Sequence, residues 1–286
     1  MNTVVITGAT SGIGLESAKL LAQNGFQVLG VGRSAAHCVR AVEAIRAAAP
    51  QADPVYFTAD LMQLREVDRV AAELTGYITK HCGGRLFALI NNAGCARSYY
   101  MTTEDGYEQQ FALNYLAGFL LTYHLLPLLK SAGGRVIMTS SRSHRGARVH
   151  WDDVMLTHRY GPLTAYKQSK LCDILFARGL NDRYAASGIR AYAVDPGLVR
   201  TDIGNKGAGG LVNFIWSLRK LGGVKPEVPA QTYAFPCDPA QEPRELYYYL
   251  CRPQAYSAQV TAHNADCLFA LSERLCGVTF EKEVSA

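Results

Sequence analysis

Short segments rich in β-branched residues alternate along this chain with longer segments of helical periodicity. The apolar segments fall at residues 4–6, 28–31, 55–58, 86–90, 136–139 and 189–194. They are continuous apolar runs without an alternating polar face, as strands buried on both faces require. Strands that are separated by helices pair in parallel. The pattern therefore predicts an α/β fold, a doubly wound parallel sheet of about seven strands with helices on both faces.

The composition fits a single domain over residues 1–286. Hydrophobic residues make up 49% of the 286 positions, enough for one large core. We see no run of about 20 apolar residues that could span a bilayer. Met1 is followed by an apolar strand and not by a basic leader, so we expect a soluble cytoplasmic protein.

Cysteine spacing and charge narrow the range of ligands. The eight cysteines include no Cys-x-x-Cys pair, which predicts neither a metal site nor a disulfide framework. The formal net charge is +5, but the basic residues are dispersed and form no long run. We therefore expect an anionic cofactor and no nucleic acid as the partner.

A glycine-rich turn follows the first strand and opens a helix. It reads Thr7-Gly8-Ala9-Thr10-Ser11-Gly12-Ile13-Gly14. Gly8 would permit a tight turn, Gly12 a close approach of the backbone to a pyrophosphate, and Gly14 close packing of helix on strand. The helix N-terminus would add N–H donors and a positive dipole end. We predict a dinucleotide phosphate site, the alternative being an ordinary turn between a strand and a helix.

The residues after the second and third strands indicate which dinucleotide binds. Gly32 stands where an acidic residue would hold a ribose 2′-hydroxyl, and Arg33 follows it. A glycine would leave room for a 2′-phosphate and the guanidinium would pair with it, which predicts NADP(H) over NAD(H). Arg33 could instead be a solvated residue at a helix start. Asp60, which precedes Leu61, could hold the adenine edge or cap a helix.

Tyr166 and Lys170 stand four residues apart in a predicted helix that begins near Leu163. Both side chains then lie on one helix face. Since tyrosine has an ordinary pKa of about 10, its use as an acid/base near neutrality needs a stabilised anion, which an adjacent ammonium helps to provide. With 16 tyrosines in the chain, such a pair is weak evidence by itself.

Several motifs occur in a fixed order and strengthen this interpretation. They are Thr7-Gly8-x-x-x-Gly12-x-Gly14, Asn91-Asn92-Ala93-Gly94, Asn114, Ser141, Tyr166-x-x-x-Lys170, and Pro196-Gly197 with Thr201. In this order they resemble the short-chain dehydrogenase/reductase family over about residues 3–202. The resemblance implies a single NAD(P)-binding Rossmann domain that transfers a hydride between a nicotinamide and an alcohol or carbonyl.

The resemblance also implies roles for individual residues. Tyr166 would exchange the proton, and Lys170 would lower its pKa and bind the nicotinamide ribose. Ser141, preferred to its neighbour Ser140, would hold the substrate oxygen. Asn114 would distort the fourth helix and carry a water relay to Lys170, or else be an ordinary exposed helical asparagine.

The residues expected around the cofactor come from the same motifs and follow the chain from the first strand to the sixth. They are Gly8, Thr10, Ser11, Gly12, Ile13, Gly14, Arg33, Asp60, Leu61, Asn91, Ala93, Gly94, Tyr166, Lys170, Pro196, Gly197, Val199 and Thr201.

Two segments depart from the family pattern or extend it. The stretch from Ser141 to Tyr166 is longer than is common in the family, so residues 145–162 must loop out. Similar insertions occur in family members that resemble retinol dehydrogenases and other reductases of lipophilic or bulky carbonyls. Its basic cluster could meet an acidic substrate tail or be solvated; the members are Arg142, His144, Arg145, Arg148, His150, His158 and Arg159. Residues 203–228 would include the substrate lid, although the 203–221 helix could also be core or lie on a membrane.

The sequence therefore predicts an NADP(H)-dependent oxidoreductase of a secondary alcohol, ketone or aldehyde, retinoid-, steroid- or polyketide-like. The alternative is a non-catalytic cofactor-sensing or scaffold protein on the same fold. A homodimer or homotetramer would assemble through the long fourth and fifth helices, as the resemblance implies.

Overall fold

The computed structural model describes residues 1–199, 223–238, 240–241 and 243–281. Its strands are β1 (Thr3–Thr7), β2 (Gln27–Gly32), β3 (Val55–Thr58), β4 (Ala88–Asn91), β5 (Arg135–Thr139), β6 (Arg190–Val194), β7 (Tyr247–Tyr249) and β8 (Arg252–Pro253). Its helices are α1 (Gly12–Gln23), α2 (Ala35–Ala48), α3 (Leu64–His81), α4 (Gln109–Ala132), α5 (Pro162–Tyr184), α6 (Glu227–Ala234) and α7 (Ala262–Cys276). Thr201 and residues 203–222 of the predicted lid segment lie outside the described residues.

One sheet runs through the described chain in the order β3-β2-β1-β4-β5-β6-β7-β8. The first seven strands are parallel, and β8 pairs with β7 in the antiparallel sense. The predicted fold class is confirmed, with β8 as an additional short edge strand. β7 and β8 have three and two residues, too few for a hydrophobic period to identify them.

Alternate residues of each strand enter two different cores, one on each face of the sheet. Val5 and Leu89 pack against α3, α4, α5 and α7, whereas Val4, Ile6 and Ile90 pack against α1, α2 and α6. Successive side chains of a strand point to opposite faces, so both faces of these strands had to be apolar. This accounts for the continuous apolar runs in the sequence.

Helix α4 is the most apolar of the described helices. Gln109–Ala132 is long enough to cross a membrane, and an 18-residue window within it, with a mean hydropathy of 1.4, is apolar enough by these measures alone, contrary to our expectation from the sequence. However, 78% of the window that meets these measures is buried inside the folded chain. Its apolar residues contact neighbouring helices and the sheet, so it is a core helix.

Helix α7 packs against α4 and α5, the two helices through which the resemblance implies assembly. Phe269 on α7 and Phe280 beyond it pack against Phe119 and Phe176, with ring centroids 5.0–6.3 Å apart. Tyr115 and Ser272 share a buried hydrogen bond of 2.7 Å. These aromatic side chains of α4 and α5 are therefore buried within one chain. Oligomerisation through the two helices stays a prediction.

The segment of residues 145–162 packs against α5 over part of its length, while much of it is exposed. Gln168 on α5 accepts a hydrogen bond from the His150 amide (2.9 Å) and donates one to the Val154 carbonyl (2.8 Å). Val154 and Leu156 are buried. Because Gln168 and Tyr166 both lie on α5, these hydrogen bonds attach the segment to the helix that carries the predicted catalytic tyrosine.

Candidate active site

The strand order reverses between β1 and β4, which lie side by side although β2 and β3 separate them in the chain. In open α/β sheets, ligands bind outside the carboxyl ends of the strands at such a switch point. The glycine-rich turn follows β1, and Asn91-Asn92-Ala93-Gly94 closes β4. The topology thus brings these two motifs together at one edge.

The glycine-rich turn is shaped as a phosphate cradle. Gly8 and Gly12 have φ angles of +64° and +55°, a region that glycine tolerates best. A Cβ at Gly14 would lie 2.3 Å from the Gly8 carbonyl oxygen, so helix and turn meet as closely as predicted. Ser11 makes no side-chain hydrogen bond at the start of α1. The first N–H groups of the helix can therefore bind an anion, as a dinucleotide pyrophosphate requires.

Thr7 and Asn92 join the turn to the end of β4. The Thr7 hydroxyl oxygen accepts hydrogen bonds of 3.0 Å from the amides of both Asn92 and Ala93. The Asn92 side-chain amide donates to the carbonyls of Thr7 (3.0 Å) and Gly8 (3.3 Å). Sequence reasoning gave Asn92 no role, although its place in the motif was a usable signal.

At the predicted 2′-phosphate end, Gly32 does not leave the open space that we expected. A Cβ there would lie 2.3 Å from Thr10 Cγ2 and 2.9 Å from Cys38 Sγ. A side chain at position 32, including the acidic one that would favour NAD(H), would therefore require Thr10 or Cys38 to move. Arg33 is exposed and has no hydrogen bond or ion pair within the part of the chain that the structure describes. Its guanidinium is available to an anionic ligand.

Asp60 and Leu61 lie at the end of β3 with different environments. Asp60 Oδ1 accepts from the Met62 amide at 3.2 Å, whereas the residue that caps α3 is Gln63. The carboxylate is therefore part of a turn and not a helix cap, and it keeps a second oxygen for another partner. Leu61 belongs to the buried core.

Asn91 at the end of β4 and Asn114 on α4 are both buried. Asn91 donates to Thr122 Oγ1 at 3.2 Å and supports the sheet, while its own Oδ1 has no hydrogen-bond partner among the described residues. Asn114 lies in a π-helical turn (Ala112–Leu116) of α4, the distortion that the resemblance implied. Its Oδ1 accepts from the Cys95 amide at 2.7 Å. A Cβ at Gly94 would stand 3.1 Å from that oxygen, which explains the glycine.

Tyr166, Ser141 and Lys170 meet where β5 and α5 adjoin. The hydroxyl of Tyr166 is hydrogen-bonded to that of Ser141. Lys170 Nζ lies 5.8 Å from the centre of the Tyr166 ring and donates to the Thr139 carbonyl at 2.7 Å. Ser140 instead donates to the Lys170 carbonyl at 2.7 Å and is buried. Only Ser141 of the serine pair faces Tyr166.

Opposing influences act on the phenol of Tyr166. Burial raises its pKa, while the nearby Lys170 ammonium and the hydrogen bond from Ser141 lower it, and the net direction is upward. A positively charged group beside the ring would lower the pKa further, as an oxidised nicotinamide does. The protein without cofactor thus keeps the tyrosine protonated.

The loop that carries Ser141 is fixed by His144, a member of the predicted basic cluster. The Ser257 amide donates to His144 Nε2 at 3.2 Å, so Nδ1 carries the proton and donates to the Ser141 carbonyl at 2.6 Å. His144 is fully buried. It therefore cannot meet a substrate tail, and its role is to hold the loop.

The rest of the basic cluster lies mainly at the surface, where some members contact other residues. Arg142 packs over the Tyr249 ring at 4.9 Å, and its amide donates to Asp195 at 3.1 Å. Arg145 donates to the Ala255 carbonyl at 2.9 Å. His150 is partly buried, while the exposed members are Arg142, Arg145, Arg148, His158 and Arg159.

The end of β6 closes the site from the other side. Asp195 accepts a 2.8 Å hydrogen bond from the Gly197 amide, and Gly197 has a φ of +72°. Val199 forms a parallel bridge with Val224. Pro196, Gly197 and Val199 therefore follow a strand end, as the cofactor prediction requires, whereas Thr201 lies outside the described residues.

Two polar groups that contact Lys170 were not predicted from the sequence. Asp173 contacts Lys170, and its spacing of three residues on the same helix was an available signal. Thr139 was not identified because its carbonyl acts through the backbone. Among residues 1–199 and the described parts beyond them, no group of three His, Cys, Asp or Glu side chains could hold a metal ion.

The fold and these motifs define a dinucleotide-binding oxidoreductase, and comparison with known proteins identifies its family. Residues 2–208 match the family model for short chain dehydrogenase. The chain belongs to the short-chain dehydrogenase family, in its retinol dehydrogenase-like branch. Human retinol dehydrogenase 13 is 33% identical, with 96% of this chain and 85% of that protein covered.

Solved structures support the same fold. A crystal structure of an uncharacterised protein from Mycobacterium paratuberculosis has a TM-score of 0.74 and 29% identity, covering 98% of this chain and 95% of the other. A short-chain dehydrogenase from Sphingobium yanoikuyae in complex with NADPH has a TM-score of 0.67 and 23% identity, with 100% and 99% covered.

Proposed function

We propose that this protein is an NADP(H)-dependent oxidoreductase that interconverts a lipophilic alcohol, such as a retinoid, and its carbonyl. One observation carries the catalytic part of the proposal. The hydroxyls of Tyr166 and Ser141 are hydrogen-bonded to each other, and the Lys170 ammonium lies beside the tyrosine ring. This arrangement matches a proton-exchanging group, a donor to the substrate oxygen and a cation that stabilises the phenolate.

The residues present fit the dinucleotide. The pyrophosphate would lie on the N–H groups of Gly12, Ile13 and Gly14, and the nicotinamide ribose would be held by Tyr166 and Lys170. Side chains are excluded at Gly14 by contact with Gly8, so the approach of the backbone is built into the fold. When bound, the nicotinamide supplies the hydride for carbonyl reduction or accepts it in alcohol oxidation.

The protein's own residues then manage the oxygen and its proton. In reduction, Ser141 donates a hydrogen bond to the substrate oxygen as negative charge develops there. Tyr166 transfers its phenolic proton to that oxygen and becomes a phenolate. Lys170 stabilises the phenolate until solvent returns a proton. Alcohol oxidation follows the same steps in reverse, with Tyr166 as the base.

The preference for NADP(H) rests on Gly32 and Arg33. Position 32 is a glycine packed against Thr10, so it carries no carboxylate to repel a 2′-phosphate, and Arg33 is exposed without a described partner. We expect NADPH to bind more tightly than NADH, and Arg33→Ala to remove most of this difference. Arg46→Ala, on the last turn of α2 and paired with Asp53, is the matched control. Equal dissociation constants for both cofactors in the native protein would reject the preference.

The substrate class rests on the similarity to retinol dehydrogenases and on apolar groups near the site. Tyr100 packs against Tyr160 with ring centroids 5.3 Å apart, and Leu163, three residues before Tyr166, is exposed. We propose that such groups receive a lipophilic substrate. The cytoplasmic location stays a prediction.

Replacing the catalytic hydroxyl tests the function directly. Tyr166→Phe should lower kcat for NADPH-dependent reduction of all-trans-retinaldehyde by about 10²–10⁴-fold, the usual contribution of general acid/base catalysis. NADPH affinity, measured by nucleotide fluorescence, should fall far less than kcat, because Lys170 and the phosphate turn still bind the cofactor. Tyr256→Phe removes an exposed hydroxyl and serves as the control. Unchanged turnover in Tyr166→Phe would refute the role, and tight NADPH binding without turnover of retinaldehyde or other carbonyls would favour the non-catalytic alternative.

A further inference from the structure

A buried carboxylate adjoins the proposed catalytic lysine. Asp173 lies on α5, three residues after Lys170, and its side chain is fully buried. Oδ2 accepts a hydrogen bond of 3.1 Å from Lys170 Nζ. Oδ1 is buried and has no hydrogen-bond partner in the described part of the chain. A carboxylate in this setting is costly to ionise, so its presence calls for a physical explanation.

The Lys170 ammonium is held from two directions. Its side chain is 5% exposed, and Nζ donates to the Thr139 carbonyl at 2.7 Å as well as to Asp173. An ammonium has three protons, so these two bonds leave one for the Tyr166 side, where the ring centre lies 5.8 Å from Nζ. The two acceptors therefore fix which way the remaining proton points.

The charge of Asp173 also acts on the neighbouring groups. Burial raises the pKa of Asp173 to about 7, with Lys170 opposing this rise. The negative charge of Asp173 in turn contributes to the raised pKa of Tyr166. The other titratable groups that face Asp173, Lys170 or Tyr166 from adjoining elements are Cys95, Tyr115, Cys172, Asp195 and Tyr233.

We infer that Asp173 is a positioning residue of this site, whose carboxylate holds the Lys170 ammonium against the Thr139 carbonyl and counteracts the charge of that ammonium at Tyr166. The inference rests on the proposed function, because the phenol of Tyr166 is the group on which both effects converge. Asp173 touches neither substrate nor cofactor and acts through Lys170.

The titration of Asp173 tests this coupling without turnover. We would record ¹³C NMR spectra of the whole protein labelled at aspartate Cγ, between pH 5 and 9, and assign the Asp173 signal by its loss in Asp173→Asn. The expected midpoint is near pH 7. Lys170→Met removes the compensating cation, so it should raise the midpoint by at least about half a pH unit. A wild-type midpoint below pH 5, or one that Lys170→Met leaves unchanged, would overturn the inference.

The pH profile of catalysis tests the effect on Tyr166. With all-trans-retinol and NADP⁺, kcat should rise with pH as Tyr166 ionises. Asp173→Asn keeps the shape and one acceptor but removes the charge, so this rise should move by at least about half a pH unit to lower pH. Asp173→Ala also removes the acceptor and should lower kcat about tenfold or more, whereas Asp173→Asn retains most of it.

The matched control is Asp182→Asn, the same substitution in an exposed ion pair with Arg178 on the same helix. It should leave the pH profile in place. An unshifted profile in Asp173→Asn, or equal losses of kcat in the Asn and Ala variants, would contradict a positioning role. If the wild type does not turn over retinol at all, the proposed substrate is wrong, and the NMR titration still decides the coupling of Asp173 to Lys170.

Discussion

His144→Ala provides a sharp test of how the Ser141 loop is held. In the native protein, the Ser257 amide donates to Nε2 (3.2 Å) and Nδ1 donates to the Ser141 carbonyl (2.6 Å). The ring also packs edge-on against Tyr247, with centroids 4.9 Å apart. The variant loses all three contacts.

The expected loss of stability in His144→Ala follows from the hydrogen bonds that each former partner of the imidazole still makes. The Ser141 carbonyl still accepts from the amide of residue 144, so losing Nδ1 there costs about 1 kcal/mol. The Ser257 amide is buried and loses the imidazole acceptor, which costs about 1–3 kcal/mol. We therefore expect the free energy of unfolding to fall by about 3 kcal/mol at pH 8, together with a fall in kcat of about tenfold because Ser141 is less firmly placed.

The loss of stability caused by His144→Ala should increase as the pH rises. Burial lowers the pKa of His144 from its ordinary value of 6.5. A group whose pKa is lower in the folded state stabilises the protein above its unfolded pKa, and this stability is lost as the pH falls through the folded pKa. The difference between wild type and His144→Ala should therefore be largest above about pH 7 and shrink towards pH 5.

Urea denaturation between pH 5 and 8 measures this difference. His158→Ala, in the same basic cluster but with a side chain that is 88% exposed, is the control and should change stability by less than about 0.5 kcal/mol. A difference for His144→Ala that stays constant across this pH range would refute the buried neutral imidazole. A loss no larger than that of His158→Ala would refute its role in holding the loop.

Two further substitutions test the phosphate cradle and the aromatic core. Gly14→Ala should weaken NADPH binding by more than about tenfold, because its Cβ would lie 2.3 Å from the Gly8 carbonyl oxygen. Gly76→Ala on α3, where a Cβ meets nothing within 4 Å, should stabilise the helix by about 0.5–1 kcal/mol. Equal NADPH affinity in both variants would contradict the phosphate cradle. Phe119→Ala should lower the free energy of unfolding by about 3–5 kcal/mol, since this buried ring packs against Phe176, Phe269 and Phe280. The control is Val39→Ala, at an exposed position. If urea denaturation shows a loss below about 1 kcal/mol for Phe119→Ala, α7 does not pack as described.

The sequence by itself determined those features of this protein that are encoded by patterns along the chain. The strand and helix segments followed from local periodicity, and the phosphate turn followed from glycines at fixed offsets after a strand. Tyr166 and Lys170 followed from helix spacing and their rank in an ordered series of motifs. For the segments and the turn, the information lies within a few turns or residues of chain, whereas the catalytic pair also needed the order of motifs over about residues 3–202; neither requires knowledge of the fold.

Only the tertiary structure decided which groups meet across the sheet. It set the Ser141 hydroxyl against that of Tyr166, packed Thr10 beside Gly32, and buried His144 on Ser257. These partners lie far apart in sequence, and no local pattern specifies such a contact. Asp173 lay within reach of sequence reasoning, but its effect depends on burial, because only the interior that surrounds it raises the pKa of its carboxyl.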